Sequence, residues 1–216
     1  MKRMLAVLGD YYHCSDQLLA LLRSTDLPAD LEVTVTRYPD PPDPAALAGY
    51  DLLLLAAIGR LRPKESDEYW MTPEAEGALA DHVASGAGML LVHAGTASHP
   101  TDGPFREAAG GHFLQHPPEH PPVTITPVAD HPITAGVTSF THPDEHYFLD
   151  VDEEVTPLLT ASSELGEQSG GWCRTHGSGR VAALVPGHTR EMLAEPMMRR
   201  LLANAIRWCL GEWEPS

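Results

Sequence analysis

The chain has 216 residues, and its 14 Lys and Arg against 30 Asp and Glu give a formal net charge of −16 with histidine neutral. This length is typical of one domain with a well-buried core, and we interpret residues 1–216 as a single domain. So acidic a surface repels phosphate backbones and anionic lipid headgroups, which argues against nucleic-acid and membrane partners.

The apolar runs and the cysteines predict a cytoplasmic protein. No apolar run reaches the roughly 18–20 residues that a membrane-spanning helix needs. The N-terminal apolar run ends at Gly9, which is too short for a secretion-signal core of about 7–15 residues. Cys14, Cys173 and Cys209 are odd in number and widely spaced, so they form neither a disulfide framework nor a metal-binding pattern.

Strand and helix signals alternate through the first half of the chain. The predicted strands cover residues 3–8, 31–36, 51–56 and 89–92. One helix is predicted after Ser15 and another over 72–85, whereas the proline-rich segment 38–44 predicts no regular element. Strand–helix–strand units with short links predict an α/β fold: a doubly wound, mostly parallel sheet with helices on both faces.

The pattern changes after residue 110. Further strands, separated by long or turn-like links, are predicted over 123–128, 155–160, 171–175 and 180–185. THGSGR at 175–180 predicts the turn of an added antiparallel hairpin near the C-terminus. A closing helix is predicted over 195–210, and its apolar face is a candidate contact for a homo-oligomer.

The strand ends supply the first candidate site residues, because open parallel sheets bind ligands beyond the carboxyl ends of their strands. In LLVHAG, His93 occupies the position at which the G-x-nucleophile-x-G turn of many α/β enzymes carries a serine or cysteine. Leu91 replaces the first glycine of that turn, and Gly95 supplies the second. The candidate substrate-binding residues are Gly95, His13 in the loop after the first strand, and further along the chain His116, Tyr147 and Gly187.

The segment HPDEHY at 142–147 is the densest polar cluster. In an extended chain Asp144 would point to one side and Glu145 and Tyr147 to the other, so only one of the two carboxylates would face the cleft. The sequence leaves open which one it is. The candidate roles of this carboxylate are a general acid/base, an acceptor for a sugar hydroxyl and a metal ligand.

Two further histidines follow glycines at predicted element ends. His188 ends an apolar strand in VPGHT, where Gly187 allows close approach. His116 lies between a glycine pair and two prolines, which fix its loop. No phosphate loop and no G-x-G-x-x-G follows the first strand, so we expect no nucleotide cofactor.

Five motifs in this order resemble the trehalose-utilisation, or ThuA-like, family: GAGMLLVHAG, GGHFLQHPP, DHPITAG, DEHY and GSGRVAALVPGHT. The match covers roughly residues 45–211. The resemblance implies a flavodoxin-like sheet similar to class I glutamine amidotransferases, with His93 at the position of the amidotransferase cysteine. The positions carried over from the family are His93, His116, Asp144, Glu145, Tyr147, Gly187 and His188.

The family resemblance implies a small-molecule sugar or glycoside as partner, including keto-sugars. The leading hypothesis is an enzyme in which His93 and His188 act as acid/base groups or as ligands of a divalent, zinc-like metal, with Asp144 or Glu145 as their partner. The alternative is a non-catalytic sugar- or metal-binding module on the same scaffold. An authentic glutamine amidotransferase would need a cysteine near residue 93, and none is there.

Aromatic residues are further candidates, because they can stack on a sugar ring. Tyr69 and Trp70 are candidates for this role, whereas core packing is the expected role of Trp172.

Overall fold

The computed structural model describes residues 1–37 and 43–213. The strands are β1 Lys2–Leu8, β2 Leu31–Arg37, β3 Leu52–Ala56, β4 Gly88–Val92, β5 Gly111–Gln115, β6 Pro122–Pro127, β7 Phe140–Pro143, β8 Phe148–Val151, β9 Thr156–Ser163, β10 Gly166–His176 and β11 Gly179–Leu184. The helices are α1 Ser15–Ser24, α2 Pro73–Ala84, α3 Pro104–Ala109, α4 Arg190–Ala194 and α5 Pro196–Cys209, with short 3-10 helices at Pro44–Gly49, His93–Thr96 and Pro132–Thr134.

A nine-stranded sheet has the order β2-β1-β3-β4-β11-β10-β9-β6-β7, and β5 and β8 form a separate two-stranded sheet. Neighbouring strands are parallel from β2 to β11 and antiparallel from β11 to β7. The predicted fold class is confirmed, and the predicted hairpin is the β10–β11 pair. The antiparallel part extends further than that hairpin, because β9, β6 and β7 continue the sheet.

Successive side chains of the central strands point to opposite faces of the sheet, so there are two hydrophobic cores, one on each face. Leu52 and Leu54 of β3 face the core that contains α1 and α5. Leu53 and Leu55 face the opposite core, which contains α2 and α3. A strand that is apolar on both faces is therefore covered by helices on both faces, as the run at 51–56 predicts.

The closing helix α5 corrects one expectation. Its apolar face, represented by Met198, Leu201 and Ile206, is fully buried in the core on the α1 side of the sheet. That face packs within the chain, and the homo-oligomer itself stays a prediction.

The predicted strands and the three predicted helices are present, but several short elements were not predicted. The strands β5, β7 and β8 have four or five residues each and are mostly half-buried or exposed. They therefore lack the continuous apolar run that marks the equally short β3 and β4. Of the proline-rich segment 38–44, residues 38–42 lie outside the described residues. Its end is regular, contrary to expectation, since Asp43 caps the 3-10 helix Pro44–Gly49.

Candidate functional site

The carboxyl ends of β1, β3, β4 and β11 meet at one edge of the sheet, and their loops form a cavity of about 410 Å³. This volume lies within the range of about 300–1,000 Å³ that is usual for small-molecule sites. The cavity is lined by Tyr12, His13, Ile58, Ala97, Ser98, Phe113, His116, Glu145, Tyr147 and His188.

His93 lies at a strained turn directly after β4. Its φ is +46°, and among residues 1–37 and 43–213 the only other non-glycine residue with positive φ is Ser98, at +56°. Such a backbone costs about 1–3 kcal/mol and clusters at functional sites. Gly187, with φ +143°, packs against His93, since a Cβ on it would lie 3.4 Å from the histidine Cβ. The turn therefore has the strained strand-to-helix character of a nucleophile turn, but it presents an imidazole.

The His93 ring is held by its Nδ1, which lies 2.8 Å from the carbonyl oxygen of Val185. A carbonyl only accepts, so Nδ1 donates to it, and Nε2 is the ring nitrogen that faces the site. The Tyr147 hydroxyl lies 3.0 Å from that Nε2, and Glu145 Oε2 lies 3.2 Å from it. Burial, and then the negative charge of Glu145, raise the pKa of Tyr147 well above its usual range, so its hydroxyl remains a donor.

His13 is oriented in the same manner by Asp10. Its Nδ1 lies 2.8 Å from both oxygens of the Asp10 carboxylate, which leaves Nε2 facing the site. Burial lowers the pKa of His13 and outweighs the opposing contact with Asp10. The ring is therefore neutral, and its buried Nε2 has no hydrogen-bond partner among the described residues.

Glu145 is the centre of the site. Its Oε1 lies 3.2 Å from His188 Nδ1 and 3.4 Å from His116 Nε2. Burial alone would raise the pKa of Glu145, but the contacts with His188 and His93 outweigh it and lower the pKa well below the usual range. The contact with Glu145 raises the pKa of His188.

Asp144 does not line the cavity, which corrects its expected catalytic role. Its carboxylate is almost completely buried and accepts hydrogen bonds from the backbone N–H groups of Gly187, His188 and Thr189, each at 2.9 Å. The alternation of an extended chain thus directs Asp144 to the loop and Glu145 to the cavity. Asp144 positions the loop that carries His188.

One ligand atom from each of four residues lies within 4.8 Å of all the others; we call these residues, His13, His93, Glu145 and His188, the histidine cluster. Of the other expected site residues, His116 and Tyr147 line the cavity. Gly95 is buried away from it, and a Cβ there would meet the Leu55 carbonyl oxygen. Close packing of the turn on β3, rather than substrate binding, explains that glycine.

The aromatic residues of the site differ from the expected ones. Trp172 is fully buried, as expected, and its Nε1 donates to the carbonyl of Ala109. Trp70 is also buried in the core, so it offers no stacking surface, and Tyr69 does not line the cavity. The aromatic residues that line the cavity are Tyr12, Phe113 and Tyr147.

Asp10, Ser98 and His120 were missed by sequence reasoning. Asp10 directly follows a predicted strand, so its position was a usable signal. Ser98 carries no signal in the sequence, since its backbone strain is visible only in the structure. His120 lies in a proline-flanked loop, a pattern that predicts a surface residue, yet its Nε2 is 3.8 Å from Glu145 Oε1.

The sheet order, the strained turn after β4 and the cavity at the carboxyl edge define an α/β protein of the glutamine amidotransferase-like fold. The chain belongs to the ThuA family, described as trehalose utilisation, whose family model matches residues 6–209. No curated protein sequence matches the chain.

Solved structures are similar in fold. A ThuA-like protein from Bacteroides uniformis ATCC 8492 has 19% identity and a TM-score of 0.73, over 97% of this chain and 91% of its own. A glutamine amidotransferase from Thermotoga maritima has 13% identity and a TM-score of 0.61, over 97% and 98%. A β-galactosidase from Rahnella sp. R3 has 12% identity and a TM-score of 0.64, over 94% of this chain but 31% of that enzyme. At such identities the likeness shows the fold alone.

Within the described residues, 1–37 and 43–213, no helix is both long enough and apolar enough to cross a membrane.

Proposed function

We propose that the protein is a metal-dependent enzyme of sugar metabolism, which acts on a keto-glycoside or a disaccharide at the histidine cluster. The observation that carries this proposal is the convergence of three imidazoles and one carboxylate, whose ligand atoms lie within 4.8 Å of one another. The description of the family as trehalose utilisation supports a sugar as substrate.

The donor set fits a divalent first-row metal such as zinc. The hydrogen bonds of Nδ1 to Asp10 and to Val185 turn Nε2 of His13 and Nε2 of His93 toward the cluster, where both nitrogens are within reach of a bound metal. The unpartnered Nε2 of His13 is a buried acceptor that a cation would satisfy. Neutral imidazoles and a carboxylate are the ligands that zinc prefers, and their outer partners orient them.

The remaining residues support the same chemistry from the cavity walls. A bound metal would supply Lewis acidity that polarises a carbonyl or hydroxyl oxygen of the sugar. Tyr147 keeps its proton and offers an O–H donor from the cavity wall. His116 lines the cavity with 32% of its side chain exposed, so its imidazole can contact both a bound sugar and solvent. Ile58 and Phe113 form the apolar wall that excludes water.

Zinc content tests the proposal directly. We expect the purified chain, loaded with zinc and dialysed, to hold one equivalent by plasma mass spectrometry. His13→Ala is expected to weaken zinc binding by more than about 100-fold, since removing even an outer partner of a ligand costs about 10–100-fold.

His176→Ala is the matched control, because His176 lies in the β10–β11 hairpin and does not belong to the cluster. Wild-type protein that holds no zinc, or a His13→Ala variant that holds it as tightly, would contradict the metal centre. Turnover of a keto derivative of trehalose by the zinc-loaded chain then tests the reaction.

One observation favours a second candidate, a non-catalytic sugar- or metal-binding module. The cluster offers four protein ligands, and four-ligand sites are typical of closed structural zinc centres, whereas catalytic centres keep one position open. Zinc-loaded protein that binds sugars in calorimetry but turns none over would support this module.

We further propose a cytoplasmic location, since all three cysteines are free and reduced thiols are typical of that compartment. Cell fractionation with an antibody against the chain tests it, and recovery in an extracellular or membrane fraction would contradict it.

A further inference from the structure

Two exposed tyrosines lie at the mouth of the cavity. Tyr12 lines the cavity although 46% of its surface is exposed, and 54% of Tyr11 is exposed. Their rings meet edge-on with centroids 5.0 Å apart, and the Lys64 ammonium lies 5.5 Å from the centroid of Tyr12. Exposed aromatic surface beside a cavity marks a binding surface rather than a stabilising contact.

The backbone beneath these tyrosines is rigid. The Asp10 carboxylate accepts hydrogen bonds from the N–H groups of Tyr12 at 2.8 Å and Ile58 at 2.9 Å. The same carboxylate holds the ring of His13. One carboxylate therefore holds both the backbone of Tyr12 and the ring of His13, which is a member of the histidine cluster.

We propose that Tyr12, with Tyr11 and Lys64, forms an outer subsite for the second sugar ring of a disaccharide, whose first ring occupies the cavity at the histidine cluster. The inference rests on the proposed function, because it extends the same site to a longer substrate. The Tyr12 and His13 ring centroids are 6.5 Å apart, so sugar units joined by one glycosidic bond can reach both.

The chemistry of the subsite suits a neutral, polyhydroxylated ring. The C–H face of a pyranose packs on an aromatic ring, and its equatorial hydroxyls point outward to polar groups at the rim. The hydroxyl groups of both tyrosines and the ammonium of Lys64 supply such groups. A neutral ligand also avoids the repulsion that a net charge of −16 imposes on an anion.

Binding of one-ring and two-ring sugars tests the subsite. Calorimetric titration of the zinc-loaded full chain with glucose and with trehalose is expected to give about tenfold tighter binding of trehalose. Tyr12→Ala should remove this preference by weakening trehalose binding about tenfold more than it weakens glucose binding. Tyr12→Phe should keep most of the preference, and Lys64→Ala should lower it a few-fold.

Val128→Ala is the matched control, since Val128 is 49% exposed and does not line the cavity. Zinc content and melting temperature of each variant report whether the fold and the cluster are intact. Equal affinity of the wild type for both sugars, or an unchanged preference in Tyr12→Ala, would overturn the subsite and leave the proposed function standing. If the zinc-loaded wild type binds neither sugar, both the subsite and the sugar assignment are wrong. Should Tyr12→Ala not fold, the Lys64→Ala and Tyr12→Phe variants decide.

Discussion

Replacing Glu145 by glutamine is expected to lower turnover of a keto-glycoside by about 10³-fold, which corresponds to about 4 kcal/mol of transition-state stabilisation. The carboxylate oxygens lie 3.2 Å from His93, 3.2 Å from His188 and 3.4 Å from His116. A neutral amide of the same shape removes the negative charge that holds these imidazoles around one point. It also replaces one anionic oxygen ligand of the proposed metal by a weaker donor.

Steady-state kinetics and zinc content of Glu145→Gln measure both effects. Glu164→Gln is the matched control, because Glu164 is exposed in the turn after β9 and remote from the cavity lining. Turnover within threefold of wild type in Glu145→Gln would remove Glu145 from the chemistry. Loss of zinc with no loss of sugar binding would instead assign the cluster to the binding module.

The same variant has a pH signature in metal-free protein. The lowered pKa of Glu145 means that its contribution to stability is present above the ordinary carboxyl pKa of about 4.3 and is lost as pH falls through the lowered value. The raised pKa of His188 means that its contribution is present below about 6.5 and is lost as pH rises through the raised value. Thermal melts should therefore show the largest penalty of Glu145→Gln between about pH 4.3 and 6.5. A penalty independent of pH would contradict this ion pair.

The parallel half of the fold could be predicted because its signals are local. The apolar run of β3 and the capping and proline signals of α2 each lie within one stretch of sequence. The antiparallel half could not be assembled in the same way. β6 pairs with β9 across about 30 residues of chain. Neither strand carries a sequence pattern that indicates which strand it pairs with. The pairing is decided by tertiary packing.

The candidate site shows the same division. Positions at strand ends, such as His93 and His13, followed from the general location of sites in parallel sheets. The choice between Asp144 and Glu145 did not follow from that rule, because it depends on which side of the segment 142–147 faces the loop 187–189. Three backbone N–H groups of that loop donate hydrogen bonds to the Asp144 carboxylate. The role of Tyr12 also needed the structure, since exposure at a cavity mouth leaves no pattern in the sequence.

Asp144→Ala is expected to be the most destabilising of the substitutions considered. It leaves the backbone N–H groups of Gly187, His188 and Thr189 without their acceptor. An unsatisfied buried donor costs about 1–3 kcal/mol, and donors in one network do not add fully. We expect a loss of about 3–5 kcal/mol, which lowers the melting temperature by about 10 °C for a chain of this size. Displacement of His188 should weaken zinc binding as well.

Calorimetric melting temperatures of Asp144→Ala, Asp144→Asn and Asp150→Ala distinguish the loss of the loop hydrogen bonds from a general effect of removing a negative charge. Asp144→Asn keeps a carbonyl oxygen that can serve part of the loop, so its melting temperature should fall between those of wild type and Asp144→Ala. Asp150→Ala removes an exposed carboxylate that lies 3.3 Å from Arg106. Arg106 keeps its 2.8 Å contact with Asp152, so we expect a loss of at most about 1 kcal/mol. If Asp144→Ala melts as wild type does and still holds zinc, the close packing of Gly187 on His93 positions the loop, and the carboxylate is dispensable.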